Sequence, residues 1–391
     1  MNTMKTIAKP RLHYLDHLKV GLTMLVIAHH AGQPYGGSGG FWFFKSDQTI
    51  NLGPFFAVNA AFFMSLFFLI SGYFLPQSLD RKGVGRFLKD RLQRIGIPLA
   101  AGFLLLIPAM MYAYYVNFRP YGTISYWSYL RDVFFAFGKP KPADWSGPSW
   151  PDVQFGHLWF LEHLLFYAVI YGLLRLVMRN RRPLRLREPR LISIGGLAVL
   201  VALLTFIVRI EYPIDKWVGF LGIIQTEFAH VPQYASFFLL GILAYRNDWL
   251  TKLSAPIGRT CLGTGLFLAG LYYMGSYLYG FSFFRGGGLN AGSLFYSFYD
   301  TVMCFGLCIG LIYVGREHLN TSHALGRELA ANAFAVYIIH VPVVVLLQYA
   351  LVNMAWPVFV KFLIVSLAGT AGSFLLSWGV LRRIPFVKDI L

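Results

Sequence analysis

Apolar residues fall along the chain in ten runs of near-membrane length, at roughly 15–35, 54–76, 96–116, 156–178, 191–210, 219–245, 258–280, 293–314, 332–352 and 357–381. A helix rising 1.5 Å per residue needs about 20 such residues to cross a hydrocarbon core about 30 Å thick, so each run predicts one spanning helix. The expected fold is all-α, a polytopic membrane bundle of about ten transmembrane helices forming one membrane-embedded domain over 1–391. The sixth run is the weakest, because it contains Gln225, Glu227, His230 and Gln233.

The first run departs most from a plain lipid-facing helix. It reads YLDHLKVGLTMLVIAHHAGQPY, with charges near one end and paired histidines near the other. At about 100° per residue, the steps from Lys19 to His30 return to nearly the same face and climb roughly 16 Å. Asp16, Lys19, Thr23 and His30 therefore form a polar stripe, which is expected to turn inward and line a cavity. His29 lies about 100° off that stripe.

Composition agrees with a membrane protein. The chain is 57% hydrophobic, 17% aromatic and 13% charged, with a mean hydropathy of +0.56. The net charge of +17 could suggest nucleic acid, but its distribution argues for membrane orientation. With the N-terminus inside, 25 of the 34 Lys and Arg residues fall in the inner segments, which predicts both termini cytoplasmic. Cys261, Cys304 and Cys308 lie in or beside apolar runs and suggest neither a disulfide framework nor a zinc site, and no metal centre is expected. The first run, with Lys19 and two histidines, lacks the pattern of a cleavable leader. Two outer loops are rich in glycine and aromatics: GQPYGGSGGFWFFKSDQTINLGP, and the segment from about 117 to 155 with Trp127, Trp145 and Trp150. They suit a lid over a sugar-like or aromatic ligand, and equally an interfacial belt.

Ionisable residues at membrane depth are Glu162, Glu227 and Asp300, with His29, His30, His163, His230 and His340. An ionised acid at the bilayer centre costs on the order of 2.5 to 3.5 kcal/mol, so three of them need an explanation. Counting from the helix ends, Glu162 and Asp300 lie about 10 Å below the outer boundary, Glu227 about 12 Å, and His30 some 21 Å above the inner one. They fit one shared cavity in the outer half. For His163 and His230 a hydrogen bond to a neighbouring helix is the simpler reading. Asp16 and Lys19, one turn apart, also fit a local ion pair.

Several segments then acquire a common meaning. YLDHLKVGLTMLVIAHH, with a basic residue eleven positions before a histidine, resembles the opening motif of the integral-membrane acyltransferase-three family, mapping to Lys19 and His30. FFMSLFFLISGYFLP is similar to the family's aromatic segment ending in Ser-Gly-aromatic, and FLKDRLQRIGIP supplies the paired Arg91 and Arg94. GHLWFLEHLLFY, FFLLGILAYRNDWL and FAVYIIHVPVVVL resemble later landmarks and place Glu162, Asp248 and His340. Lys19 stands where the family more often has arginine, so the charge is kept and the bidentate fork is not.

The resemblance implies acyl transfer from cytosolic acyl-CoA, such as acetyl-CoA or succinyl-CoA, to a hydroxyl of an envelope or extracellular carbohydrate, in a bacterial cytoplasmic membrane. Lys19, Arg91 and Arg94 would meet the donor's phosphates, the two arginines being open also to plain orientation signals. His30 is the expected general base, with His29 as the other choice. Glu162 or Asp300 would orient or balance the imidazole, and His340 would touch the thioester or brace the bundle. A transporter or flippase of an envelope glycan or lipid precursor, using the buried acids as a proton relay, is the alternative.

Overall fold

A computed structural model of the chain describes residues 11–36, 41–147, 149–178, 184–221, 224–280 and 284–390. Lys5, Lys9, Arg179, Arg181 and Arg182, counted above as inner charges, and the glycines at 37, 39 and 40 lie outside the described residues. The helices are α1 (His13–Gly32), α2 (Gly53–Lys82), α3 (Val84–Arg91), α4 (Ile97–Leu105), α5 (Ile107–Phe118), α6 (Tyr126–Tyr129), α7 (Trp159–Val177), α8 (Leu191–Glu211), α9 (Val231–Asn247), α10 (Trp249–Lys252), α11 (Ala255–Tyr279), α12 (Ala291–His318), α13 (Ala324–Ala350), α14 (Val358–Gly379) and α15 (Pro385–Ile390). Two short strands, β1 (Trp217–Phe220) and β2 (Ile224–Glu227), pair antiparallel. Among the described residues, a helical segment stands at each of the ten predicted positions, and eight helical stretches are long and apolar enough to cross a membrane.

The connections sort to two ends of the bundle, as alternating crossings require. At one end, Leu186 N donates to Asn247 Oδ1 (2.8 Å), Arg316 to Thr251 O (3.3 Å) and His17 Nδ1 to Leu319 O (2.7 Å). At the other, Tyr349 OH donates to Phe43 O (2.9 Å), Phe155 N to Gln225 Oε1 (3.0 Å) and Ile214 N to Gly286 O (2.9 Å). The first is the basic end and the second the aromatic end.

Two elements differ from the expected helices. The third crossing is assembled from α3, a π-turn over Leu92–Gly96, α4 and α5, because Pro98 and Pro108 each lack the N–H that a continuous helix would use. The sixth begins only near Phe228, and the residues expected to open it form the β1–β2 hairpin. Ile224, Thr226 and Glu227 of that hairpin are buried, so its backbone enters the protein interior rather than lipid. Non-helical backbone is tolerated at such depth only with protein partners, and the pairing of Trp217 with Glu227 through Phe220 with Ile224 supplies them.

Helix α2 is the most enclosed of the long apolar helices and α8 the least. Helix α2 packs on α1, α7, α9, α11 and α12. Its contact with α9 is glycine-mediated: a Cβ on Gly72 would collide with the carbonyl oxygen of Phe238, and one on Gly241 with that of Leu69. Close backbone approach of this kind carries helix association where lipid removes the hydrophobic drive. Gly241→Ala should therefore destabilise the protein by ~1–3 kcal/mol, whereas Gly270→Ala, with open space around the added methyl, should be neutral. Thermal unfolding of both variants in the same detergent checks the contrast; equal midpoints would remove the close-contact account.

Candidate active site

The polar stripe of α1 ends at an unusual hydrogen bond. His30 Nδ1 lies 2.8 Å from His340 Nε2 on α13, and the two rings are nearly coplanar at 12°. Both remaining anchors of this group are backbone carbonyls. His340 Nδ1 is 2.7 Å from Tyr337 O, and His157 Nε2 is 2.8 Å from Ile338 O. The second carbonyl is free because Pro342, four residues on, has no N–H to give it. His157 sits 5.2 Å from His340, ring centre to ring centre, at 80°.

These contacts fix the protons of neutral rings. A carbonyl can only accept, so His340 donates from Nδ1 and its Nε2 holds the lone pair. His30 must then donate from Nδ1, which leaves His30 Nε2 unprotonated. Among the described residues, no hydrogen bond is made by that nitrogen, and His30 is only half-buried. The first loop closes over it from the aromatic end. The indole of Trp42 lies 5.3 Å from the imidazole at 26°, and its Nε1 donates to Gln348 Oε1 at 2.7 Å. Gln348 in turn donates to Ala31 O (3.2 Å), tying α13 to the last turn of α1.

At the basic end of the same stripe, Lys19 Nζ pairs with Asp16 at 2.8 Å and lies over the Phe74 ring at 5.3 Å. It lines a cavity of about 410 Å³ with Arg11, Asp16, Tyr73, Phe74, Gln77 and Tyr245. The lining stops at Lys19 and Tyr73. Leu22, Thr23, Val26 and Ile27 above them are buried, so the stripe is not the wall of a continuous passage that the sequence predicts.

The sequence pattern described as "Acyltransferase domain" matches residues 12–381. The chain belongs to the acyltransferase-three family. It is also similar to proteins named glucans biosynthesis protein C from Salmonella paratyphi A, Salmonella agona (strain SL483) and Salmonella heidelberg (strain SL476). Each is 28% identical over 276 residues, covering 67% of this chain and 66% of the relative. The chain thus matches about two thirds of the length of these relatives.

Within this member of the family, the other expected residues separate. His29 faces α2, with ring centres 4.9 Å from Phe56 and 5.2 Å from Phe63, and its Nδ1 is buried without a partner. Glu162 is buried on α7 and accepts the Gln225 backbone N–H at 3.2 Å, which seats the hairpin. Neither acid expected to orient His30 is hydrogen-bonded to it; His340 has that position. Asp300 is a correction in the same sense: its Oδ2 receives Arg209 (2.7 Å) and Gln233 (3.0 Å), so its charge is already balanced inside the bundle. Arg91 and Arg94 do not line the Lys19 cavity. They converge with Lys82 on Asp90 at 3.1, 3.3 and 2.7 Å, a patch carrying more positive than negative charge. His163 and His230 have structural partners, Thr226 Oγ1 at 3.0 Å and Glu227 at 2.9 Å, but on strand β2 rather than on the neighbouring helix that the sequence predicts. In the second outer loop, burial pushes the Asp152 carboxyl up to about 6 although Tyr129 OH donates to it at 3.0 Å. Among the described residues, no group of three metal-ligating side chains converges.

Sequence reasoning missed His157, Trp42, Gln348 and Arg209. Only Arg209 left a usable signal, a lone cation in an apolar run opposite the lone Asp300. Its guanidinium is fully buried, donates from Nε to Ala229 O (3.2 Å) and lies 5.6 Å from the Tyr296 ring. Breaking one side of such a pair strands a charge, whereas replacing both with apolar groups does not. Arg209→Met should cost ~3–5 kcal/mol, and Arg209→Met with Asp300→Leu should recover most of that loss. Unfolding midpoints of the two single variants and the double one decide it; additive losses would show that the pair is not coupled.

Proposed function

We propose that the protein is a membrane-bound O-acyltransferase that takes an acyl group from acyl-CoA at the basic end and passes it to a carbohydrate hydroxyl at the aromatic end. The observation that carries this reading is the His30–His340 hydrogen bond, which leaves an unprotonated imidazole nitrogen beneath the Trp42 loop. A sugar hydroxyl is a weak nucleophile near neutral pH and needs such a base as it attacks. For the thioester to arrive there from the Lys19 cavity, Leu22, Val26 and Ile27, packed closed in this structure, must part; the hydroxyl oxygen then bonds to the thioester carbonyl carbon while His30 Nε2 takes its proton. The carbon–sulfur bond then breaks, and the same proton passes to the departing thiolate. His340 acts here as a positioning residue, holding the tautomer of His30.

The donor is acyl-CoA, with acetyl and succinyl as the fitting groups, and it needs no metal. Lys19 and Arg11 at the cavity supply cations for its phosphates, and the Lys82, Arg91 and Arg94 patch draws an anionic donor to that end. The excess of basic residues there supports a cytoplasmic location for that end, with both termini inside, in a bacterial inner membrane. Likeness to proteins named for glucan biosynthesis supports an envelope glycan as acceptor.

His30→Ala should abolish transfer of labelled acyl groups to envelope glycans while the protein still inserts and elutes as wild type; retained activity removes His30 as base. His340→Ala should lower kcat by roughly 10²–10⁴, and His340→Gln, whose amide oxygen can accept from His30, should recover part of it. Equal activity of the two His340 variants would contradict the tautomer role. Lys19→Ala should raise KM for acyl-CoA by about tenfold without altering KM for the glycan. An equal rise for both substrates would detach Lys19 from the donor.

A further inference from the structure

At the same basic end, the least enclosed helix meets a second cavity of about 490 Å³. Leu69, Ile192, Leu197, Leu240 and Phe305, from α2, α8, α9 and α12, form its apolar walls. Ile192 is 84% exposed although it belongs to that lining, so the cavity is open sideways, toward lipid. On α8 and α9 the lining residues lie within about 10 Å of the basic helix ends, a depth that belongs to a single leaflet.

The mouth is charged. Arg187 and Arg190 line it and are exposed, and neither makes an ion pair among the described residues. Glu188 also stands there, but Lys252 Nζ lies 3.9 Å from its carboxylate, so the mouth keeps a net positive charge. Trp249 lines the same cavity, and its indole N–H is buried with no acceptor. An apolar trough under two free guanidiniums, opening sideways at interfacial depth, matches an acyl chain joined to a phosphate.

We propose that this groove is a binding site for an anionic phospholipid, with one acyl chain against Leu197, Leu240 and Phe305 and the phosphate held by Arg187 and Arg190. Arginine suits the phosphate because its planar fork contacts two oxygens at once. The site is separate from the His30 group, and the proposal does not depend on the reading of that group.

Native mass spectrometry tests it on the full chain, purified in mild detergent with equal phosphatidylglycerol and phosphatidylcholine of identical acyl chains. Wild type should retain phosphatidylglycerol over phosphatidylcholine by about tenfold. Arg187→Gln with Arg190→Gln should bring that ratio near one, in protein that still elutes as a single species. Leu240→Trp, which fills the trough, should lower retention of both lipids; if that variant does not fold, the arginine pair decides alone. An unchanged preference in the double arginine variant overturns the proposal. So does displacement of the lipid by glycerol phosphate alone, which would mean a site for the anion only. A dimer lost on Leu240→Trp would put a second copy in the groove and overturn it too.

Discussion

Inside hydrocarbon there is no water to complete a hydrogen bond, so a polar group buried in this bundle is costly unless it finds a partner in the chain. That constraint explains features that hydropathy alone does not. The hairpin can leave helical geometry at Ile224 because Glu162 takes the Gln225 N–H and Gln225 returns a carbonyl to Phe155 and Gly156. Arg209 can sit fully buried on α8 because Asp300, Ala229 and Ser297 receive its donors from two directions. Where glycine lets α2 and α9 touch, backbone takes the place of side chains as the packing surface.

The same accounting shapes the histidine group. Pro342 removes one donor from α13, and the carbonyl thereby released holds His157. His340 is held by a carbonyl one residue earlier, and His30 by His340. Among the described residues, these three imidazoles from three parts of the chain are oriented with no carboxylate as a hydrogen-bond partner. Two carbonyls in adjacent positions of one helix thus determine where the protons of distant rings reside. The first outer loop contributes through burial: Trp42, Phe43 and Phe44 tuck inward and make it part of the site's roof.

Much of the architecture was legible because helices across a membrane repeat a simple length and a simple charge bias. The stripe from Lys19 to His30 was legible too, since it depends on helical periodicity within one element. His340 stood out as a polar residue in an apolar run. Its bond to His30, across 310 positions, could not be read from either segment, and acids were assigned the orienting role that an imidazole occupies. His157 was hidden at the mouth of its helix, where a polar residue needs no special account. The start of the sixth helix was misplaced because hydropathy counts apolar side chains, whereas the hairpin depends on which backbone groups find partners. Asp300 stands out in the sequence as an acid in an apolar run, but its pairing with Arg209, across 91 positions, cannot be read from either segment.

Among the described residues no carboxylate is hydrogen-bonded to His30 or His340, and this has a chemical consequence. A positive ring formed there would have no bound counter-ion to hold it, only a neighbouring aromatic nitrogen through which to spread its charge. An imidazolium in such a place is short-lived by construction, and a proton arriving at it is favoured to leave again toward the nearest developing anion. The arrangement therefore favours a shuttle that never stores charge over a stepwise route that pauses at an ion pair.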